Sequence, residues 1–291
     1  MQLSRCTAIS RLKALLNQPL GCEESRGWQA RLHLNFAQSN DKTLLVKREH
    51  IGPLTVQRPF YPEGGVCHLY ILHPPGGIVG GDDLSINVKA APHSHALITT
   101  PAAGKFYRSS GAQAKQVVEI TIANDATVEW LPQETIIYEG AQLKSSVKVD
   151  LAADARFIGW EILSMGRPAC YENFDYGLAD LSWQIYCEDR PVLLERLYLD
   201  AKAFSARWGL QSNSACGTLF ATPASSESFA AVQGLIGDTK GRGVTRIDNL
   251  LVCRARDIRS DRLRGFFEQV WAIVRPDTVK SNACSPRIWA T

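Results

Sequence analysis

Acidic residues at two kinds of position carry the chemical interest of this chain. The stretch Ile71–Leu84 reads ILHPPGGIVGGDDL and ends in the adjacent carboxylates Asp82 and Asp83. Proline fixes φ and glycine opens positive φ, so the segment is a shaped turn system that sets acids beside closely approachable backbone. Glu161 and Glu195 instead interrupt otherwise apolar runs, in GlyTrpGluIle and LeuLeuGluArg. An acid there needs a partner, a cavity or water. Glu63 in ProGluGly and Glu134 after LeuProGln are further acids at turn positions. His93 and His95 form an HxH in which positions i and i+2 share a strand face, an arrangement that brings two imidazoles to one ion.

Several chemistries lack their required context. A phosphate-binding loop ends in Gly-Lys-Ser/Thr and feeds a helix, whereas Gly80-Gly81 leads into two carboxylates and a strand-like alternation. There is no G-x-S-x-G elbow and no spacing that pairs an acid with its base, so a carboxylate-dependent hydrolase at Asp82-Asp83 has residues but no motif. The eight cysteines stand singly and none forms a CxxC, which argues against a zinc ribbon or a thioredoxin-like site and for reduced thiols in the cytoplasm. A nickel-storage protein binding through His93 and His95 is the other alternative.

The elements that must position these residues are mostly strands. Apolar residues alternate with polar ones through Trp28–Phe36, Leu84–Ala90, Leu143–Leu151 and Leu181–Cys187. Lys115–Ile122, Ala126–Leu131, Glu134–Tyr138, Arg156–Leu163 and Val192–Leu199 are further predicted strands. Short strands between Gly, Pro and Asn-Asp turns predict a sandwich, barrel or coil of sheets. Helical spacing of Leu263, Phe267, Val270, Trp271 and Val274 predicts a C-terminal helix, capped by Ser260 or Asp261 and stopped by Pro276. Ser226–Ile236 and Ser10–Asn17 are shorter helix candidates. The Arg-rich span 254–264 is interleaved with acids and predicts a solvated helix face.

Bulk properties narrow the class. The 291 residues are 45% hydrophobic with a net charge of +3, enough apolar content for a sizeable core. Lys and Arg are scattered, so no nucleic-acid stripe is present. No apolar run reaches the ~20 residues that span a bilayer, and the first residues lack the parts of a secretory signal.

Seven colinear motifs then converge. RPFYPEG (58–64), HPPGGIVGGD (73–82), TTPAAGKFYRS (99–109), EWLPQETIIYEGA (129–141), RFIGWEI (156–162), GRPA (166–169) and the terminal PRIWAT (286–291) resemble the urease accessory protein UreD family, called UreH in some bacteria. The resemblance runs from about residue 28 to 291, with 1–25 a variable extension and 26–291 a single β-rich domain. It implies a mainly β fold, a helically wound two-layer β-sheet domain with a few helices including the C-terminal one. It implies no enzymatic activity and no tightly bound cofactor. It implies a protein that acts with UreF and the GTPase UreG on urease apoprotein, with Ni²⁺ in transit through an internal hydrated passage. On the resembling motifs the acids of that passage are Asp82, Glu161 and Glu195, and Gly104 stands on its wall where relatives often carry a small hydroxyl residue. Asp83, Glu134 and Glu63 are additions from charge and position. Trp28, Phe60, Tyr61, Tyr107 and Trp289 lie at turn-rich motifs where partner anchors are common. Where relatives have Gly-Glu after GRPA, this chain has Cys170-Tyr171-Glu172.

Overall fold

Strict alternation makes the first sheet. In Gln29–Ser39 (β1), Ala30, Leu32, Leu34 and Phe36 are buried while Gln29, Arg31 and His33 face out. The same parity holds in Asp83–Ala90 (β5), Ala114–Ile122 (β8), Gln142–Leu151 (β11) and Leu178–Cys187 (β13). The intervening chain supplies Lys42–Ile51 (β2), Thr55–Val56 (β3), Cys67–Leu72 (β4), His95–Thr99 (β6), Gly104–Phe106 (β7), Thr127–Trp130 (β9), Thr135–Ile137 (β10) and Arg156–Met165 (β12). Arg190–Leu199 (β14), Ala215–Thr222 (β15), Arg242–Ile247 (β16) and Leu250–Asp257 (β17) follow. The structure, a computed structural model, describes residues 27–290.

From β4 to β13 the chain crosses between two sheets at nearly every step. It visits β4, β5, β6, β8, β9, β11, β12 and β13, each in the sheet opposite its predecessor. One circuit of this coil returns a strand beside its predecessor in the same direction, so β1-β5-β8-β11-β13 and β4-β6-β9-β12 are parallel. The expected helical winding of two β layers is what the chain adopts. Antiparallel strands close the ends: β2 on β1, β14 on β13, and β15 on β12 with β17 and β16 beyond. β2 carries Lys47, Arg48 and Glu49 on the sheet edge, charges that oppose edge pairing with another chain.

The second sheet is buried on both faces, so its strands read as nearly continuous apolar runs. In β12, Phe157, Leu163 and Met165 pack into the core between the sheets. Ile158, Trp160 and Ile162 face the opposite way, into a second core with the C-terminal helix Ser260–Thr278. That helix buries the predicted stripe of Leu263, Phe267, Val270, Trp271 and Val274. It continues through Pro276 in its last turn, and Arg259 stands at its start without a side-chain cap from Ser260 or Asp261. Proline at this point leaves the Ala272 carbonyl without its i→i−4 donor, a loss confined to the last turn. The predicted helix Ser226–Ile236 forms, with the Ser225 hydroxyl accepting from the Ser228 amide. The candidate helix Ser10–Asn17 and the extension 1–25 lie outside the described residues. The span 254–264 is not one helix face: Arg254 and Arg256 belong to β17 and only Ser260 onward is helical. Among the described residues no helix is long and apolar enough to cross a membrane, and Cys67, Cys170, Cys187, Cys216, Cys253 and Cys284 are unpaired.

Arg275 projects from the C-terminal helix and is 0% exposed. Its guanidinium is held by two carboxylates at once. Nη1 and Nη2 lie 2.7 and 2.8 Å from the Glu63 oxygens, and Nε and Nη2 lie 3.0 and 2.9 Å from those of Glu129. The Asn282 carbonyl accepts a further bond from it. Glu129 also accepts from Trp271 Nε1 at 2.7 Å and meets His95 Nε2 at 2.8 Å. Glu63 meets His68 Nε2 at 2.6 Å. Burial pushes the Glu129 carboxyl up, but the bonds and charges of His95 and Arg275 outweigh it and hold the group at about 2. Its contribution to stability is therefore complete above the ordinary carboxylate range near 4.5 and is lost as pH falls through about 2. Replacing Arg275 by Met, which strands both acids, is expected to cost about 3–5 kcal/mol in denaturant unfolding.

Candidate functional site

The parity of the second sheet brings an acid to the wrong side of an apolar strand. Residues 157, 161, 163 and 165 of β12 share the face that meets the first sheet, so Glu161 projects between the sheets. Across the second sheet, Glu161 pairs in register with Thr218 of β15, Thr218 with Arg254 of β17, and Arg254 with Gly243 of β16. On the facing sheet, Glu195 of β14 is opposite Trp183 of β13, whose ring is buried toward the core.

These two rows line one cleft of about 390 Å³, where β15, β17 and β16 reach over the β13–β14 hairpin. Leu163, Leu181, Leu197 and Cys216 line its apolar part. Glu195 forms an ion pair with Arg254. Burial pushes the Glu161 carboxyl up to about 7; Trp183 opposes the shift and the charge of Glu195 adds to it. The same burial, with Glu161 nearby, lifts the Cys216 thiol to about 12, so it is no thiolate ligand near neutrality.

The other predicted site residues lie elsewhere. Asp82 is buried at the end of the glycine run, where Gly81 adopts φ +94°. Its Oδ1 accepts from the Trp28 amide at 2.7 Å and its Oδ2 from the Val79 amide at 2.9 Å. It therefore ties the entry of β1 to the turn before β5. Asp83 faces the opposite side, on the outer surface of the first sheet with Arg31, Ser85 and Glu119. Adjacent residues in an extended segment diverge in this way, so the two acids do not form the acid–base pair a hydrolase would need. Gly104 lines a second hollow of about 270 Å³ with His73, Ile78, Leu84, Ile86 and Thr100. Burial lowers the His73 pKa, against the charge of Asp82. Glu134 lies just before β10 and keeps one buried oxygen without a hydrogen-bond partner. Glu63 is committed to Arg275 and His68.

The HxH geometry is corrected by the backbone. His93 sits in a turn at φ +64°, exposed, 3.9 Å from Asp125, while His95 begins β6 and turns inward to Glu129. The two rings share no face, because Ala91–Ser94 is a turn and not a strand. Among the described residues no three His, Cys, Asp or Glu side chains gather as a closed metal site. Of the candidate anchors, Trp28 is 57% exposed. Trp289 packs between Trp160 and Trp271, Phe60 stacks on Tyr70, and Tyr107 meets Tyr138 edge-on. Sequence reasoning missed Arg254, Thr218 and Trp183 as cleft residues. The period-2 register of β13, β15 and β17 was the available signal, and two of those strands carry little alternation.

Comparison with known proteins gives a consistent result. The family model described as UreD urease accessory protein matches residues 29–290. The urease accessory protein UreD of Citrobacter koseri is 42% identical over 270 residues, covering 92% of this chain and 93% of that protein. That of Dechloromonas aromatica is 41% identical over 285 residues, covering 95% and 98%. That of Klebsiella aerogenes is 41% identical over 267 residues, covering 91% and 98%.

The raised Glu161 pKa has a stability consequence. Between the unfolded carboxylate value and about 7, the folded state keeps a proton that the unfolded state releases. Stability is thus lost as pH rises through that window and levels off above it, by up to about 3 kcal/mol. Glu161→Gln is expected to raise the melting temperature relative to the parent at pH 8 and to leave it nearly unchanged at pH 4. Thermal unfolding at the two pH values checks this.

Proposed function

The chain belongs to the UreD family of urease accessory proteins, and on that premise we propose that its part in urease maturation is the delivery of nickel. In this reading it is a scaffold and conduit rather than an enzyme. It acts with UreF and UreG and passes Ni²⁺ toward urease apoprotein in the cytoplasm.

The observation that carries the reading is the cleft in which Glu161 and Glu195 approach from opposite sheets, with no third ligand among the described residues to close a site. Nickel sits high in the affinity order for nitrogen and sulfur ligands. A His- or Cys-lined wall would retain the ion. Carboxylate oxygens backed by leucines and a tryptophan attract a divalent cation and still release it, which is the demand of any conducting path. An inert Cys216 and a Glu161 that exchanges its proton near neutrality suit passage better than storage. Asp82, beside the second hollow and His73, is a separate station of the same route. Glu134 and the wall residue Gly104 belong to that region, whereas Asp83, on the outer surface of the first sheet, stands apart from it. Glu63, held by Arg275, supports the framework and not the ion.

The test is nickel content. Asp82, Glu161 and Glu195 are replaced by Ala singly and together in the full chain, co-expressed with UreF, UreG and urease. Nickel per urease active site is measured while co-purification reports whether the complex is intact. The triple variant is expected to lose about tenfold in loading rate, the equivalent of ~1.4 kcal/mol on the barrier. Unchanged loading with the complex intact would remove the conduit and leave a docking role.

A further inference from the structure

Three arginines, Arg242, Arg254 and Arg256, line the cleft. Two are anchored elsewhere. Arg242 donates to the Arg256 carbonyl at 3.0 Å and to Asp257 at 3.0 Å, and its guanidinium lies 4.7 Å over the Phe266 ring. Arg256 donates to the Gly209 carbonyl at 3.4 Å. Arg254 differs. Among the described residues its side chain is bonded to Glu195 alone.

The setting makes that bond easy to exchange. The Arg254 side chain is 50% exposed and that of Glu195 25% exposed, and an ion pair so open to water contributes little to stability. Directly across the sheet from Arg254 stands Gly243. A Cβ placed there would meet nothing within 4 Å, so the guanidinium has room beside it. Trp183, 4% exposed, turns its indole N–H toward the Glu161 carboxyl without reaching a hydrogen bond. A buried donor left unpartnered in this cleft calls for an acceptor such as water, so the space between the two acids is built to be hydrated.

We propose that Arg254 is the gate of this cleft: its guanidinium holds the place of a divalent cation on Glu195 and swings out beside Gly243 when the cation arrives. This rests on the reading of Glu161 and Glu195 as nickel-transit ligands. The resident cation keeps the empty cleft from carrying two uncompensated acids, and by competing for Glu195 it prevents the ion from settling. Arg254 is thus a positioning residue that sets release as well as entry.

The experiment measures Ni²⁺ binding and release directly on the complex of the full chain with UreF, by equilibrium dialysis and by chelator chase. Arg254→Met is expected to bind Ni²⁺ about fivefold more tightly, the upper range for an exposed ion pair, and to release it correspondingly more slowly. Arg254→Lys, which keeps a cation, is expected to behave as the parent. Adding Glu195→Gln to the parent and to the Arg254→Met variant should erase the difference between them. Equal affinity in the parent and Arg254→Met, with Glu195→Gln weaker, overturns the gate and leaves the transit reading standing. Weaker binding in Arg254→Met overturns it too, since Arg254 would then build the site. Unchanged affinity in both Glu161→Gln and Glu195→Gln removes the transit reading and the gate with it. Arg254→Gln carries the same comparison if the Met variant does not fold.

Discussion

One buried guanidinium sets the geometry on which the rest of the molecule depends. Arg275 presents its planar fork edge-on to two carboxylates, one from the loop before β4 and one from β9. Lysine could not reproduce this, because a point charge cannot engage two carboxylates bidentately. The arrangement fixes the rotation of the C-terminal helix about its axis. With that rotation fixed, Trp271 reaches Glu129 and Trp289, and the second sheet acquires a buried outer face. Only a sheet buried on both faces can present Glu161 to its inner side while its neighbours Trp160 and Ile162 pack under the helix.

The same residue types are used in two opposite ways. Glu63 and Glu129 are clamped by a cation that water cannot reach, and the charges there are matched and satisfied. Among the described residues Glu195 meets an arginine in partial contact with solvent, and Glu161 forms no ion pair. In the first group the low dielectric makes every bond costly to break. In the second, water around the half-exposed Arg254 screens its bond to Glu195 and keeps it weak. A buried ionic knot thus lies on one side of the ten-stranded sheet and a solvent-exposed ion pair on the other.

Much of this was legible in the residues and some was not. Strands with one buried face announced themselves by alternation, as in Trp28–Phe36 and Leu181–Cys187. The helix Ser260–Thr278 showed its stripe. The strand Lys42–Ile51 was silent because an edge strand buries little and is mostly polar. Ala215–Thr222 and Leu250–Asp257 were missed because both of their faces are covered, which erases the period of two. The arginines of β17 looked helical for the same reason. Glu161 and Glu195 were legible as acids in apolar strands and Glu63 as an acid at a turn, but no one-dimensional signal showed which of them a buried cation would claim. What distinguishes them is whether Arg275, 212 residues away from Glu63, closes on them. Tyr171 shows the same limit on a small scale. It takes φ +57° and is 98% exposed, a left-handed backbone that a bulky residue seldom adopts and that composition does not reveal.

The long sequence span of the Arg275 knot has a consequence in time. Glu63 and Glu129 leave the ribosome well before the helix that neutralises them, so the growing coil carries two desolvation-averse carboxylates and an uncovered apolar sheet until the last part of the chain emerges. Nascent chains in that state present a sticky face to anything nearby. Charge matching and the covering of that face therefore become possible together, once Ser260–Thr278 has been made.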